Sequence, residues 1–383
     1  MKFLHISDTH LGYSQYGLKE RKKDFLDVFH EAVDIAVDEQ VDFIIHSGDF
    51  FHTSRPSNQT FLEGLEILKR LKDRNIPIFT ISGNHDRGSQ VKDVSPLAIL
   101  EPLGLNLVDS GFKEYNGIYI GGLKYISKAG LKQIGGIRGI LEKYLENLEG
   151  DRFKILMLHQ EFTPLFPGSE LYMEKEIPEG YDYVGIGHYH VKQEPKVING
   201  ATVVYPGSTE FTAYNENEDK IEKGFYIVDV SGGNISCRFY KLKSKRPFLS
   251  VPLEEDTLEE SIKNLKLQVE KILDEKGKKP VVIFKGILRD LDIKDITSLL
   301  EKEGLNDENV LHYRFNITKE TKEFKGSLEG LENEDVMRAL KELIEDDDLF
   351  SIVEEAVKTL QSFENTDEMK KFLKEHPEIL EIS

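Results

Sequence analysis

The sequence predicts an α/β protein in which two sheets pack face to face with helices on their outer sides, followed by a small α/β domain and a helical tail. Three observations carry this expectation. Apolar runs alternate with helical spacing through the first hundred residues, strand-like runs dominate from residue 118 to residue 242, and the composition changes near residues 245 and 330.

The elements follow in order. Residues 3–6 form the first short apolar run, and beyond a loop at 8–17 the residues Phe25, Phe29, Ala32, Val33 and Ala36 recur at helical spacing. Runs at 41–47 and 76–82 predict strands, with a helix over 58–72 between them whose Phe61, Leu65 and Leu68 share a side. This β-α-β-α-β order places helices over a sheet. Further strands are expected at 118–123, 153–158, 181–186, 202–205, 224–230 and 235–242, interrupted by a helix near 138–148. Lys243, Lys245, Arg246, Pro247 and Pro252 crowd together, so a linker or boundary is expected over 243–252. Thr257-Leu258-Glu259-Glu260 has the form of a capping box and opens a helix with Leu258, Ile262, Leu265, Val269 and Ile272 on one face. A strand at 280–285, a helix at 293–301 and a strand at 310–317 complete a unit too short to house its own active site. The expected division is 1–245, 246–322 and 323–383.

The tail carries two apolar stripes, Val336, Leu340, Leu343 and Ile344, then Ile352, Val353, Ala356 and Leu360. Helices with that much apolar surface must bury it, either on the body of the protein or in the groove of a partner. Of the formal charge of −19, residues 321–383 contribute −10, from 8 Lys/Arg and 18 Asp/Glu. An acidic total argues against coating nucleic acid by charge alone, yet it leaves room for a nuclease, whose metals supply positive charge locally. No run of eighteen apolar residues and no signal peptide are found, so no membrane span is expected and a cytoplasmic location is. The single cysteine, Cys237, agrees with a reducing compartment and reads as a small strand residue.

Chemistry enters where the apolar runs stop. Asp8 and His10 follow the first run, Asp49 the second, Asn84, His85 and Asp86 the third, His159 the one at 154–158, and His188 and His190 the one at 181–186. Phosphoester cleavage needs charge at the phosphoryl oxygens and a strong nucleophile at neutral pH. Two cations about 3.5–4 Å apart provide both. Asp8, His10, Asp49, Asn84, His159, His188 and His190 offer the oxygen and nitrogen donors that suit manganese, iron or zinc. Alternation along a strand would let Asp8 and His10, and likewise His188 and His190, aim as pairs. Taken singly these motifs are weak, and it is their conjunction in order that points to a binuclear site.

The set Asp8-Thr9-His10, Gly48-Asp49, Gly83-Asn84-His85-Asp86, His159 and Gly187-His188-Tyr189-His190 resembles the calcineurin-like metallophosphoesterase superfamily. That resemblance implies a four-layer metallophosphoesterase β-sandwich flanked by helices. It further implies that Asp8, His10, Asp49 and His190 hold one ion and that Asp49, Asn84, His159 and His188 hold the other. His85 would bind no metal and would protonate the leaving oxygen or stabilise the transition state. His10-Leu11-Gly12-Tyr13, Gly48-Asp49-Phe50-Phe51-His52, Arg55-Pro56, Leu158-His159-Gln160 and Tyr205-Pro206-Gly207-Ser208 are similar to the archaeal branch of the SbcD-like, meiotic-recombination-eleven family of double-strand-break repair nucleases. The specific motifs reach to about residue 245, with architectural similarity beyond. The family implies a manganese-dependent 3′–5′ exonuclease and single-strand endonuclease, a homodimer, a capping domain, and a C-terminal segment that docks on an SMC-like coiled-coil ATPase. By the same resemblance His52 would lie near the phosphate and assist catalysis.

Tyr13, Gln15, Tyr16, Lys19, Arg21, Arg55 and Arg87 are expected to meet a DNA backbone, and residues 205–214 to line the cleft. His5, His30 and His46 are expected to be structural. Two rival functions remain, a phosphoesterase acting on small molecules or phosphoproteins, and a scaffold with a vestigial metal site.

Overall fold

The computed structural model describes residues 1–88, 94–213, 221–289 and 291–319. The C-terminal helices expected from residue 323 onward, with Val336, Leu340, Leu343, Ile352, Val353, Ala356 and Leu360, lie outside the described residues. The first half of the chain winds β1 (Lys2–Ile6), α1 (Lys19–Asp38), β2 (Phe43–His46), α2 (Asn58–Asp73) and β3 (Ile78–Thr80), then α3 (Pro96–Leu100) and β4 (Leu105–Leu107). Strands β1 to β4 pair in parallel. A second sheet follows from β5 (Ser110–Tyr115), β6 (Ile118–Leu123), β7 (Lys154–His159), β8 (Tyr183–Gly187), β9 (Lys196–Ile198) and β10 (Ala201–Val204). Short helices α4 (Lys128–Ile134), α5 (Arg138–Glu146) and α6 (Met173–Glu176) connect some of these strands. The hairpin of β11 (Gly224–Ser231) and β12 (Asn234–Lys241) then returns to the first sheet beside β1, giving the order β12-β11-β1-β2-β3-β4. The second sheet runs β5-β6-β7-β8-β10-β9.

Alternation along each strand creates the layers. In β1, Phe3 packs between the sheets with Phe43, Ile155 and Tyr183, whereas Leu4 and Ile6 pack outward among Val28, Phe29 and Ala32 of α1. In β7 and β8, Leu156, Leu158, Val184 and Ile186 face the other way, toward Ile137 and Leu141. Both faces of each central strand are therefore apolar, which is why those strands read as continuous apolar runs.

His5 is a fully buried polar residue inside the sandwich. Tyr183 Oη lies 2.8 Å from its Nδ1 and Ser47 Oγ 2.9 Å from its Nε2. Because Ser47 Oγ donates to the Gly185 carbonyl, it accepts from His5 Nε2–H, which leaves Nδ1 to accept from Tyr183. Burial, reinforced by His46, pushes the imidazole down from 6.5 to about 3. The unfolded chain therefore binds a proton that the folded chain refuses between those values. This contribution to stability is complete above pH 6.5 and is lost as pH falls. Between pH 6.5 and 4.5 the loss from this one group is on the order of 2–3 kcal/mol. Urea unfolding of the wild type and of His5→Gln at the two pH values checks it: the variant should lose less stability on acidification, and equal losses would remove His5 as the cause.

The small third sheet joins β13 (Phe248–Leu253), β14 (Val281–Leu288) and β15 (His312–Lys319), with α7 (Leu258–Lys276) and α8 (Ile293–Lys302) against it. It has its own core around Ile262, Leu265, Val269, Phe284 and Ile296. Two local expectations change here. The stretch read as a linker or boundary is not a loose linker: β13 begins at Phe248, and Arg246 is buried, donating to Asp24 and to the Lys279 carbonyl. The capping box at Thr257 is absent, because residues 255–257 already form a 3₁₀ turn leading into α7, and Thr257 Oγ1 turns back to the Glu254 carbonyl instead. The capping box that does form is at Asp292 and Asp295, on α8. Among the described residues no helix is long and apolar enough to cross a membrane.

Candidate metal centre

Strands β1, β2 and β3 run parallel, as do β6, β7, β8 and β10, so their carboxyl ends deliver loops to one edge of the sandwich. The first two loops lie along each other: Asp8 N–H donates to the Gly48 carbonyl at 3.1 Å and His10 N–H to the Asp49 carbonyl at 3.0 Å. Within them Asp8, His10 and Asp49 have φ of 52°, 44° and 56°, and His188 has 78°. A non-glycine residue in that left-handed region costs roughly 1–2 kcal/mol. These side chains are therefore aimed by strained turns beyond the strand ends, and the pairwise aim expected from strand alternation does not apply. The glycines in the motifs have a matching cause. A Cβ on Gly48 would lie 2.4 Å from His159 Nδ1, one on Gly83 2.1 Å from Asp49 Oδ1, and one on Gly187 2.1 Å from the Ser47 carbonyl.

The structure brings Asp8, His10, Asp49, Asn84, His159, His188 and His190 together in two groups. In one, His10 Nε2 lies 3.2 Å from His190 Nε2, and His190 Nε2 is 3.6 Å from Asp8 Oδ1. In the other, Asn84 Oδ1 is 3.0 Å from His159 Nε2 and 2.8 Å from His188 Nδ1. Asp49 stands between them. Its Oδ1 accepts from the His85 N–H at 2.8 Å, whereas Oδ2 is buried without a hydrogen-bond partner, 3.8 Å from His10 Nε2 and 3.4 Å from His159 Nε2.

The electrostatics ask for cations. Burial pushes the carboxyls of Asp8 and Asp49 up, but the surrounding histidines outweigh it and hold both below the ordinary carboxylate range. For His159 burial works downward, and Asp49 overcomes it, raising the imidazole to about 9. Burial and the neighbouring His159 push His188 down to about 4. The raised His159 thus offsets only part of the charge of the two buried carboxylates. Imidazole nitrogens facing each other at 3.2 Å and an orphaned carboxylate oxygen between them fit a pair of transition-metal ions of the kind the donor set favours.

Around this core, His85 Nδ1 donates to the His52 carbonyl at 3.0 Å, and its ring stacks on that of His52 with centroids 4.8 Å apart. His10, His52 and His85 form a third group with ligand-like spacing. Burial, reinforced by His85, pushes His52 down to about 4. Tyr13 stacks on His52 at 3.7 Å and Tyr16 on His312 at 4.5 Å. Arg55 and Arg87 are exposed, with Arg87 over the Tyr125 ring. Gln15 and Arg21 are not surface residues as the loop composition implies. They are 2% and 0% exposed, because Arg21 Nε donates to Gln15 Oε1 and Arg21 Nη1 to Asp24. Neither can meet a DNA backbone without breaking that buried cluster.

Sequence reasoning missed Asp86 as a brace and Glu161 and Thr212 as neighbours of the histidines. The Asp86 carboxyl accepts from the N–H groups of Phe50, Phe51 and Gly83 and so ties two loops together. Only its place in Gly83-Asn84-His85-Asp86 signalled it. Glu161 Oε1 lies 3.5 Å from His188 Nε2, and Thr212 Oγ1 2.5 Å from His190 Nδ1. Thr212 falls within 205–214, expected to line the cleft, whereas Glu161 lies in no pattern that the sequence flags.

Comparison with known proteins follows the same line. Residues 1–192 match the calcineurin-like phosphoesterase family. The chain is 36% identical over 292 residues to the DNA double-strand break repair protein Mre11 of Thermoplasma acidophilum, covering 73% of this chain and 75% of that protein. It is 31% identical over 350 residues to the protein of the same name from Sulfolobus acidocaldarius, covering 89% and 86%. With that of Methanocaldococcus jannaschii it shares 32% over 338 residues, covering 81% and 89%.

Proposed function

We propose that this chain, which belongs to the calcineurin-like phosphoesterase family and within it to the archaeal Mre11 double-strand break repair proteins, is a DNA nuclease of break repair. It is a metal-dependent phosphodiesterase, a hydrolase of a family that works with two metal ions. The observation that supports the reading most directly is the unpartnered Asp49 Oδ2 between two sets of imidazole nitrogens. Asp8, His10 and His190 would hold one ion, Asn84, His159 and His188 the other, and Asp49 both, with manganese the proposed metal. Two such ions neutralise phosphoryl charge and acidify a water to make the nucleophile.

The remaining work belongs to the chain itself. His85, its Nδ1 fixed on the His52 carbonyl, would carry the proton that the leaving oxygen needs on Nε2. His52, held neutral by burial and by His85, would donate an N–H to the phosphate. Tyr13, Tyr16, Arg55 and Arg87 are the proposed DNA contacts. Exposed Leu62, Ile99 and Leu103, on α2, α3 and the turn after it, support a homodimer through those helices. The unit around the third sheet would act as a capping domain that shapes the DNA. Residues 323–383 would dock on an SMC-like coiled-coil ATPase, and the complex would work in the cytoplasm on chromosomal DNA.

The test adds manganese and a 3′-recessed duplex to the full chain, with single-stranded DNA and p-nitrophenyl phosphates in parallel. Degradation from the 3′ end of the duplex and internal cuts in the single strand are expected. Prompt monoester hydrolysis with the DNA left intact would overturn the nuclease assignment in favour of a small-molecule phosphoesterase.

A further inference from the structure

A neutral imidazole carries one proton, so one nitrogen can offer its lone pair to a cation only while the other holds that proton against an acceptor. The four histidines of the centre meet this need in four different ways. His159 Nδ1 lies 2.8 Å from the Ser47 carbonyl, and His10 Nδ1 3.2 Å from His52 Nδ1. His190 turns Nε2 inward and places Nδ1 2.5 Å from Thr212 Oγ1. His188 is reversed: Nδ1 faces Asn84 and His159, and Nε2 faces Glu161 Oε1 at 3.5 Å. Thr212 thus meets a histidine of one group and Glu161 a histidine of the other.

Thr212 is held with unusual care for a residue in a loop. Gln15 Nε2 donates to its carbonyl at 2.9 Å and Arg21 Nη2 to the Phe211 carbonyl at 3.0 Å. Glu210, fully buried, accepts from the N–H groups of Phe211 and Arg246 at 2.7 and 2.8 Å. On the other side Lys223 Nζ donates to the His190 carbonyl at 2.9 Å. The backbones that carry the hydroxyl and the imidazole are thus fixed, and the hydroxyl supplies the acceptor that an Nδ1–H needs. Glu161 is anchored in turn by Lys128, 3.0 Å from its Oε2.

We propose that Thr212 and Glu161 are positioning residues that tune the two ion positions separately, Thr212 through His190 and Glu161 through His188. This rests on the binuclear site proposed above. The test titrates metal-free full-length protein with manganese alone, by calorimetry, and follows the exchange-coupled ion pair by electron paramagnetic resonance. Wild type should take up two ions and show the coupled spectrum. Thr212→Val, which keeps the shape and removes the hydroxyl, should weaken one ion by about 10-fold or more and leave the other within about twofold. Glu161→Leu, which removes the acceptor, should weaken the other ion, the double variant both, and Thr212→Ser should retain wild-type affinity because it keeps the oxygen. A wild-type pair that neither single variant disturbs overturns this assignment alone, as does Thr212→Ser failing like Thr212→Val, which would mean packing and not the hydroxyl. Wild type taking up no pair of ions overturns the binuclear site together with it.

Discussion

Replacing Asp49 with alanine is expected to abolish binding of both ions and to lower phosphodiester cleavage by at least about 10³-fold, more than the loss of a single stabilising donor. Asp49 stands within 4 Å of a histidine nitrogen of each group. Oδ2 is the atom 3.8 Å from His10 Nε2 and 3.4 Å from His159 Nε2, and it has no other partner. Oδ1 meanwhile holds the His85 N–H, so the truncation also frees the loop that carries Asn84 and His85. Asp49→Asn separates the two effects. The amide retains an oxygen for the His85 N–H but lacks the charge, so it should keep the fold while binding metal weakly. Metal content measured after gel filtration in manganese decides the matter: two ions retained per chain in Asp49→Ala would show that Asp49 bridges nothing.

His85→Leu is expected to lower the cleavage rate by about 10²–10⁴-fold while both ions stay bound, the range for loss of a general acid. The side chain stands with its ring centroid 4.9 Å from that of His10, beside the proposed ion pair, and its Nδ1 is committed to the His52 carbonyl. The grouping of His10, His52 and His85 offers a competing role, that of a ligand. The two roles separate cleanly, since an acid can be lost without loss of metal. A fall in metal content in step with activity would make His85 a ligand and remove the acid.

Much of the scaffold was legible because its signals are local. The spacing of Phe25, Phe29, Ala32, Val33 and Ala36 is the inner face of α1, and the apolar runs are the strands buried on both sides. Short pieces escaped notice for the opposite reason. Strand β5, Ser110–Tyr115, has no buried residue and lacks an apolar run, and β4 is three residues long. At 243–252 the density of Lys, Arg and Pro suggested a linker or boundary, and the ion pair of buried Arg246 with Asp24, 222 residues away, ties that stretch to α1.

The sequence by itself determined which residue types stand where the apolar runs end, and from their order the family and its chemistry, because strand ends and motif spacing are properties of neighbouring residues. Only the tertiary structure decided how those residues aim. The left-handed turns at Asp8, His10, Asp49 and His188, the orphaned oxygen of Asp49, the burial of Gln15 and Arg21, and the hold of Thr212 and Glu161 on their histidines all depend on loops meeting across the sandwich. The Ser47 carbonyl that orients His159 comes from 112 residues away, and the Asp8 carboxylate that accepts from the His188 N–H from 180. Contacts between groups so far apart in the chain leave no periodicity behind, since nothing in the local backbone preference of either partner requires the other.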